Sequence, residues 1–274
     1  MPSSTGRSAS AWTDHCAAPA MSSSDVPRSH PRYVSLMTRE KITAGVARGV
    51  TSPHGLIAHG RGEAFDYLLG EISHPFASTA ISTAGALLAA SRHPVISVNG
   101  NACALSAPEL VELARVSGAQ LEVNIFHASP ERELAIRDML MEAGATDVLL
   151  PSRTHALSHI DSNRRWVHPD GIFTADTVFV PLEDGDRCAA LVRNGKYVIT
   201  VDLNPLSRTA RTATVTIVDN LVRCLPEVTA AVATAKMLNE VGFRAARTPD
   251  DVLRDWNNDE VLRKAEQTLR GWIR

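Results

Sequence analysis

Tyr197-Val198-Ile199-Thr200-Val201-Asp202-Leu203-Asn204-Pro205 holds the reading of the fold in nine residues. Five β-branched or aromatic residues predict a buried strand, and Asp-Leu-Asn-Pro ends it with turn chemistry. The same grammar recurs. Val95-Ile96-Ser97-Val98 runs into Asn99-Gly100-Asn101, and Val178-Phe179-Val180 runs through Pro181-Leu182 into Glu183-Asp184-Gly185-Asp186-Arg187. Val215-Thr216-Ile217-Val218 runs into Asp219-Asn220, and Leu121–Phe126 supplies a fifth strand.

Between these strands lie helical patterns. Leu36, Ile42, Val46 and Val50 recur near helical spacing, as do Ala80, Ala84, Leu87 and Leu88. Pro108–Gly118 and Pro130–Gly144 each begin at Pro and end at Gly, which predicts helices there. Strands alternating with helices imply βαβ units. The expected fold class is α/β, a Rossmann-like parallel sheet flanked by helices. Pro151–Asp170 is polar and rich in His and Arg, and reads as a long excursion. Thr248-Pro249-Asp250-Asp251 reads as a helix start, with Leu253, Trp256, Leu262 and Leu269 giving a C-terminal amphipathic helix. That helix suits packing on its own domain and a dimer contact equally.

Residues 1–27 are rich in Ser, Ala and Pro and lack periodicity, so they read as a disordered tail, with Met21 as an alternative start. Residues 28–274 then form a single Rossmann-like domain. With 28 Lys+Arg against 30 Asp+Glu, the chain lacks the basic surplus of a nucleic-acid protein. Its longest apolar stretch, around Ala84–Ala90, is too short for a membrane span. Four scattered cysteines, Cys16, Cys103, Cys188 and Cys224, form no CxxC pair and suit a reducing cytoplasm.

In an open parallel sheet, ligands bind beyond the carboxyl ends of the strands. Four successive strand ends here deliver Asn, Asp, Glu and Arg to one edge. His59-Gly60-Arg61-Gly62-Glu63 adds an arginine between two glycines, read as backbone free to approach a ligand before a helix over Ala64–Leu69. His59 alone reads more readily as a hydrogen-bonded structural histidine than as a base, and Arg39 as a solvated or ion-paired residue on a helix. No GxxxxGK[ST], strand-following GxGxxG, GxSxG or HExxH occurs, which removes the standard phosphate, dinucleotide, serine-hydrolase and zinc-protease signatures. The residues alone lead to an α/β protein that binds an anionic, phosphorylated ligand.

Several strings are more specific. Ser29–Tyr33, Gly55–Tyr67, Pro94–Asn101, Pro181–Arg187 and Asp202–Arg208, in this order, resemble the archaeal phosphopantothenate synthetase family from about Ser29 to the C-terminus. The resemblance implies an ATP-dependent ligase of coenzyme A biosynthesis. It would join 4-phosphopantoate to β-alanine through an acyl-adenylate, releasing AMP and diphosphate, as a homodimer. ATP contacts carried onto matching positions fall at Arg39, Arg61, Asp202, Leu203, Asn204, Arg208, Thr209, Asn220 and Leu221. Its chemistry makes Arg187 a catalytic candidate, His59 and Glu63 candidates for the amine base, and Asn99 and Asn101 candidates for substrate binding. Asp184 and Asp186, with Asp202 beside them, are candidates for Mg²⁺. Two positions depart from the family pattern: Cys188, where a hydroxyl residue usually follows Asp-Gly-Asp-Arg, and Cys103. A nucleotide- or CoA-sensing binding protein of the same fold is the alternative, and a nicotinamide oxidoreductase fits the sheet but lacks its glycines.

Overall fold

The computed structural model describes residues 26–242 and 248–271, so the expected tail over 1–27 lies outside them except for its last two positions. The chain divides into two compact units, Met1–Glu40 and Lys41–Arg274. In the first, turns at Pro27–His30 and His30–Tyr33 lead into the opening of α1 (Tyr33–Ala47).

The second unit is built on five parallel strands: β1 (Pro94–Val98), β2 (Gln120–Val123), β3 (Thr177–Pro181), β4 (Tyr197–Val201) and β5 (Val215–Ile217), in spatial order β2-β1-β3-β4-β5. All four pairings are parallel. This is a doubly wound order, and its direction reverses between β1 and β3, where such sheets open a crevice at their carboxyl ends.

Side chains alternate between the two faces, as a period of two requires. Ile96, Phe179, Ile199 and Ile217 enter one apolar cluster with residues of α3 (Pro75–Ala90), α4 (Gly100–Ser117), α5 (Pro130–Glu142) and α8 (Leu221–Glu240). Val95, Val178, Val180 and Val198 face a smaller cluster closed by α6 (Gly185–Arg193), by Leu157 and Val167 of the excursion and by Ile172 just after it.

Three boundaries differ from the sequence reading. The helix expected at Pro108 begins at Gly100, capped by Asn99, and Pro108 only kinks it beside Ser106. The helix expected at Ala64–Leu69 is α2 (Pro53–Leu68), which takes in the whole His59–Glu63 stretch. Pro53 in its first turn starts it early, and packing outweighs the roughly 1 kcal/mol that each helical glycine costs. The C-terminal helix is broken into α9 (Pro249–Leu253), with the expected Thr248–Asp251 capping box, and α10 (Asn258–Gly271). At the break the Trp256 indole donates to Thr214 O, while Asn258 accepts from Thr216 N and donates to Ala210 O. These bonds cover the open edge of β5. Leu262 and Ala265 are buried in the main core, so this helix packs on its own unit.

Candidate active site

Parallel βα units place helix N-termini at the carboxyl ends of the strands, and α4, α6, α7 (Arg208–Thr212) and α8 all start there. Helix α2 crosses this edge with one stripe of residues facing it. A Cβ on Gly55 would stand 2.3 Å from Asn101 Oδ1 beyond β1, and one on Gly62 would stand 3.8 Å from Leu203 Cδ1 beyond β4. Asp66 accepts from Asn220 Nδ2 beyond β5 at 2.8 Å. Gly55 to Asp66 rises about 16 Å along a helix, and three strand spacings from β1 to β5 are about 14 Å. The stripe therefore follows the strand order, with His59 on it between Gly55 and Gly62. Gly55 lets the helix lie close to the edge, whereas the glycines that flank Arg61 stand in open space (Gly60) or at ordinary contact distance (Gly62).

The β4 end brings together most of the predicted nucleotide residues. Asp202 accepts from Asn204 N (2.9 Å) and from the Ser207 hydroxyl, folding the loop back on itself. Ser207 then caps α7 through Ala210 N. Burial pushes the Asp202 carboxyl up, against its hydrogen bonds from Ser207 and Asn204 and the nearby Arg61 charge, which pull it down. Arg61 is thus the cation of α2 that acts on the β4 end, and it is exposed. Arg208 lies with its stem on Gly185, where a Cβ would approach Arg208 Cβ to 2.7 Å, and its guanidinium pairs with Asp186. Thr209 is buried and donates to Glu183 O at 2.8 Å.

The β5 end is tied to α2 by a network that the sequence did not reveal. Arg223 donates to Asp66 (2.6 and 3.0 Å) and to Asp219 (2.7 and 3.0 Å), and Ser73 also donates to Asp219. Asn220 caps α8 through Val222 N, and Leu221 is buried as the first residue of that helix. Asp66 and Arg223 stand 157 residues apart, so only the fold joins them.

At the β3 end, Leu182 takes a left-handed conformation (φ +57°), which is strained for a bulky residue. It presents Glu183, whose side chain is 1% exposed, to the forked guanidinium of Arg164 and to Arg187. Arg164 is bound in turn by Asn124 and Asp184. Arg187 reaches Ser97 at 3.0 Å.

This geometry corrects several expectations. Arg187 is fully buried, burial lowers its pKa, and it pairs with Glu183. Asp184 and Asp186 are each paired with an arginine, and among the described residues no group of three His, Cys, Asp or Glu side chains can hold a metal. These carboxylates form no all-protein cage, and a Mg²⁺ held by one or two of them would need phosphate and water oxygens to complete its shell. Asn99 spends its side chain on Ala102 N and on the carbonyls of Pro181 and Leu182, and Asn101 on Gly55 O and Thr51. Both shape the edge with few donors left for substrate. His59 and Glu63 lie one turn apart on α2, half-buried. Arg39 lies on α1 in the first unit. Burial raises the thiols of Cys103 and Cys188 to about 12, so neither is a nucleophile at neutral pH.

An open parallel sheet with cations and helix N-termini at its carboxyl edge, and no enzyme nucleophile among these groups, defines an α/β protein built to hold phosphorylated substrates. The chain belongs to the phosphopantothenate/pantothenate synthetase family, whose model matches residues 76–272. A 4-phosphopantoate–β-alanine ligase of Thermococcus kodakarensis is 46% identical over 253 residues, 89% of this chain and 97% of that protein. The ligase of Methanosarcina mazei is 55% identical over 203 residues, 73% of this chain and 79% of its own. That of Thermococcus onnurineus is 51% identical over 205 residues, 74% and 78% respectively. No helix among the described residues is long and apolar enough to cross a membrane.

Proposed function

We infer that this chain is an ATP-dependent 4-phosphopantoate–β-alanine ligase of coenzyme A biosynthesis. The observation that carries the reading is the convergence of Arg61, Asp202-Leu203-Asn204, Arg208-Thr209 and Asn220-Leu221 at one carboxyl edge beneath α2. The substrate carboxylate attacks the α-phosphorus of ATP and diphosphate leaves. The β-alanine amine then attacks the acyl-adenylate carbonyl and AMP leaves. Neither step needs an enzyme nucleophile, so the protein's work is positioning and charge stabilisation.

In this proposal Arg61 and Arg208 take phosphate oxygens. Arg208 is free to exchange partners, because its pair with Asp186 is exposed (64% and 75%) and such pairs are worth at most about 1 kcal/mol. The Asp202–Asn204 loop and the start of α8 hold the nucleoside. His59 or Glu63, half-buried on α2, removes the proton that β-alanine must lose before its amine attacks. Mg²⁺ is proposed to arrive on the phosphate and water oxygens of the nucleotide, since it usually keeps waters and substrate phosphates as ligands and the described residues form no all-protein cage. A cytoplasmic homodimer is part of the same proposal, and three free buried cysteines suit a reducing compartment.

The test is product analysis with ATP, 4-phosphopantoate and β-alanine, read by mass. Phosphopantothenate and AMP that require all three substrates are expected. ADP would make the protein a kinase, and ATP binding without amide product would make it a sensor of the same fold.

A further inference from the structure

The far end of the carboxyl edge, beyond β2, carries cations that the nucleotide does not explain. Ser129 caps α5, and Arg132 lies in its first turn. Arg132 is half-buried and donates from Nη1 to His127 O at 2.7 Å, while its Nε is buried with no hydrogen-bond partner. Burial lowers its pKa, and no carboxylate acts to raise it again. The His127 ring stands 5.0 Å from that of His54, in the first turn of α2. Arg165 stacks over Trp166 at 4.5 Å, and Asn124 holds the Trp166 carbonyl at the end of β2.

This contrasts with four other arginines along the edge. Arg164, Arg187, Arg208 and Arg223 all sit in ion pairs with carboxylates. A guanidinium that is partly desolvated without a counter-charge, beside two imidazoles and the positive ends of α2 and α5, is arranged for an anion from outside.

We propose that Arg132, His127 and His54 form a second anion site that holds the phosphate of 4-phosphopantoate. This rests on the ligase reading and deepens it. The substrate runs five bonds from phosphorus to carboxyl carbon, roughly 6 Å extended. With its phosphate beyond β2, the carboxylate reaches the crevice between β1 and β3, which opens one strand spacing of about 5 Å from β2. There it lies under the middle of α2, on the side from which a nucleotide held at β4 presents its α-phosphate. The two phosphorylated substrates thus enter from opposite ends of one edge, and their reacting groups meet at the topological switch point. A ligand without the phosphate keeps its carboxylate but loses this anchor.

Steady-state kinetics with the full chain test the site. Arg132→Gln is expected to raise KM for 4-phosphopantoate about tenfold or more and to leave KM for ATP within about twofold. His54→Ala, an exposed change remote from the Arg132 hydrogen bond, is expected to move KM in the same direction with unchanged thermal unfolding. An unchanged KM for 4-phosphopantoate in both variants, or an equal rise for ATP, overturns the proposal. Titration of the unmodified protein with inorganic phosphate gives an answer that needs no turnover. Shifts in the His54 and His127 ring-proton NMR signals that Arg132→Gln abolishes support the site, and their absence overturns it. If no phosphopantothenate forms at all, the ligase reading fails, while the titration still decides whether an anion site exists.

Discussion

The two faces of the sheet solve the same burial problem by different means. On the face with α3, α4 and α8, side chains such as Ile96, Phe179, Leu110 and Val228 meet only apolar neighbours. On the face with α6, valines share the interior with Arg187, Ser97 and Thr200, while Glu183 and Arg164 pair at its carboxyl end and Glu122 is wholly enclosed. Apolar burial is non-directional and supplies stability without demanding one geometry. A buried ion network adds little net stability, but it admits only the arrangement that satisfies every charge. Here that arrangement holds the strained Leu182 turn, the excursion and, through Thr209, the start of α7.

The comparison is broken most severely at Glu183. Glu183→Ala leaves Arg164 and Arg187 buried without their shared carboxylate, and should cost about 3–5 kcal/mol in urea unfolding. Leu110→Ala, on the apolar face, should cost about 2–5 kcal/mol. The sharper contrast is functional: turnover by the folded Leu110 variant should match wild type, whereas any folded Glu183 variant should show a raised KM for ATP.

Glu122 provides a pH reading of the same face. Burial pushes its carboxyl up to about 7, against backbone hydrogen bonds from Ile172 and His168 and the charge of Arg187. A folded pKa above the ordinary 4.5 means that the folded state holds a proton which the unfolded state releases between these values. Its contribution is therefore fully present below pH 4.5 and lost as pH rises through 7, by about 3 kcal/mol. Denaturation from pH 4 to 8 should show that fall in wild type, and Glu122→Gln should flatten it.

The smallest effect on stability belongs to Arg61→Ala, at an exposed position on α2. Unfolding should stay within about 0.5 kcal/mol of wild type. ATP affinity, read by calorimetry, should fall about tenfold or more if this arginine takes a phosphate. Unchanged affinity and turnover would leave Arg61 a neighbour of Asp202 and nothing more.

The strands were legible because β-branched runs ending in Asn, Asp or Pro have few other readings, and all five lie where the pattern placed them. The parallel-sheet rule then pointed to the edge where Asp66, Asp202, Arg208 and Asn220 gather. Arg61, Asp202, Arg208 and Asn220 were legible as polar residues in those loops and on the glycine-flanked segment. Helix α2 was not, because Gly55, Gly60 and Gly62 look like loop residues, and only Gly55 is explained by a close approach, to Asn101. Arg187 was misread for a related reason. Its sequence neighbourhood is that of a ligand-binding loop, and nothing local says that the side chain turns inward to Glu183.

The sequence by itself determined the class of sheet and the family, because these follow from local periodicity, turn residues and long unusual strings. Only the tertiary structure decided which charges face a ligand and which face each other. Arg164 and Glu183, Arg223 and Asp66, and His54 and His127 meet across 19, 157 and 73 residues respectively. Whether a charge is solvated, paired or waiting for an anion depends on what the fold packs around it.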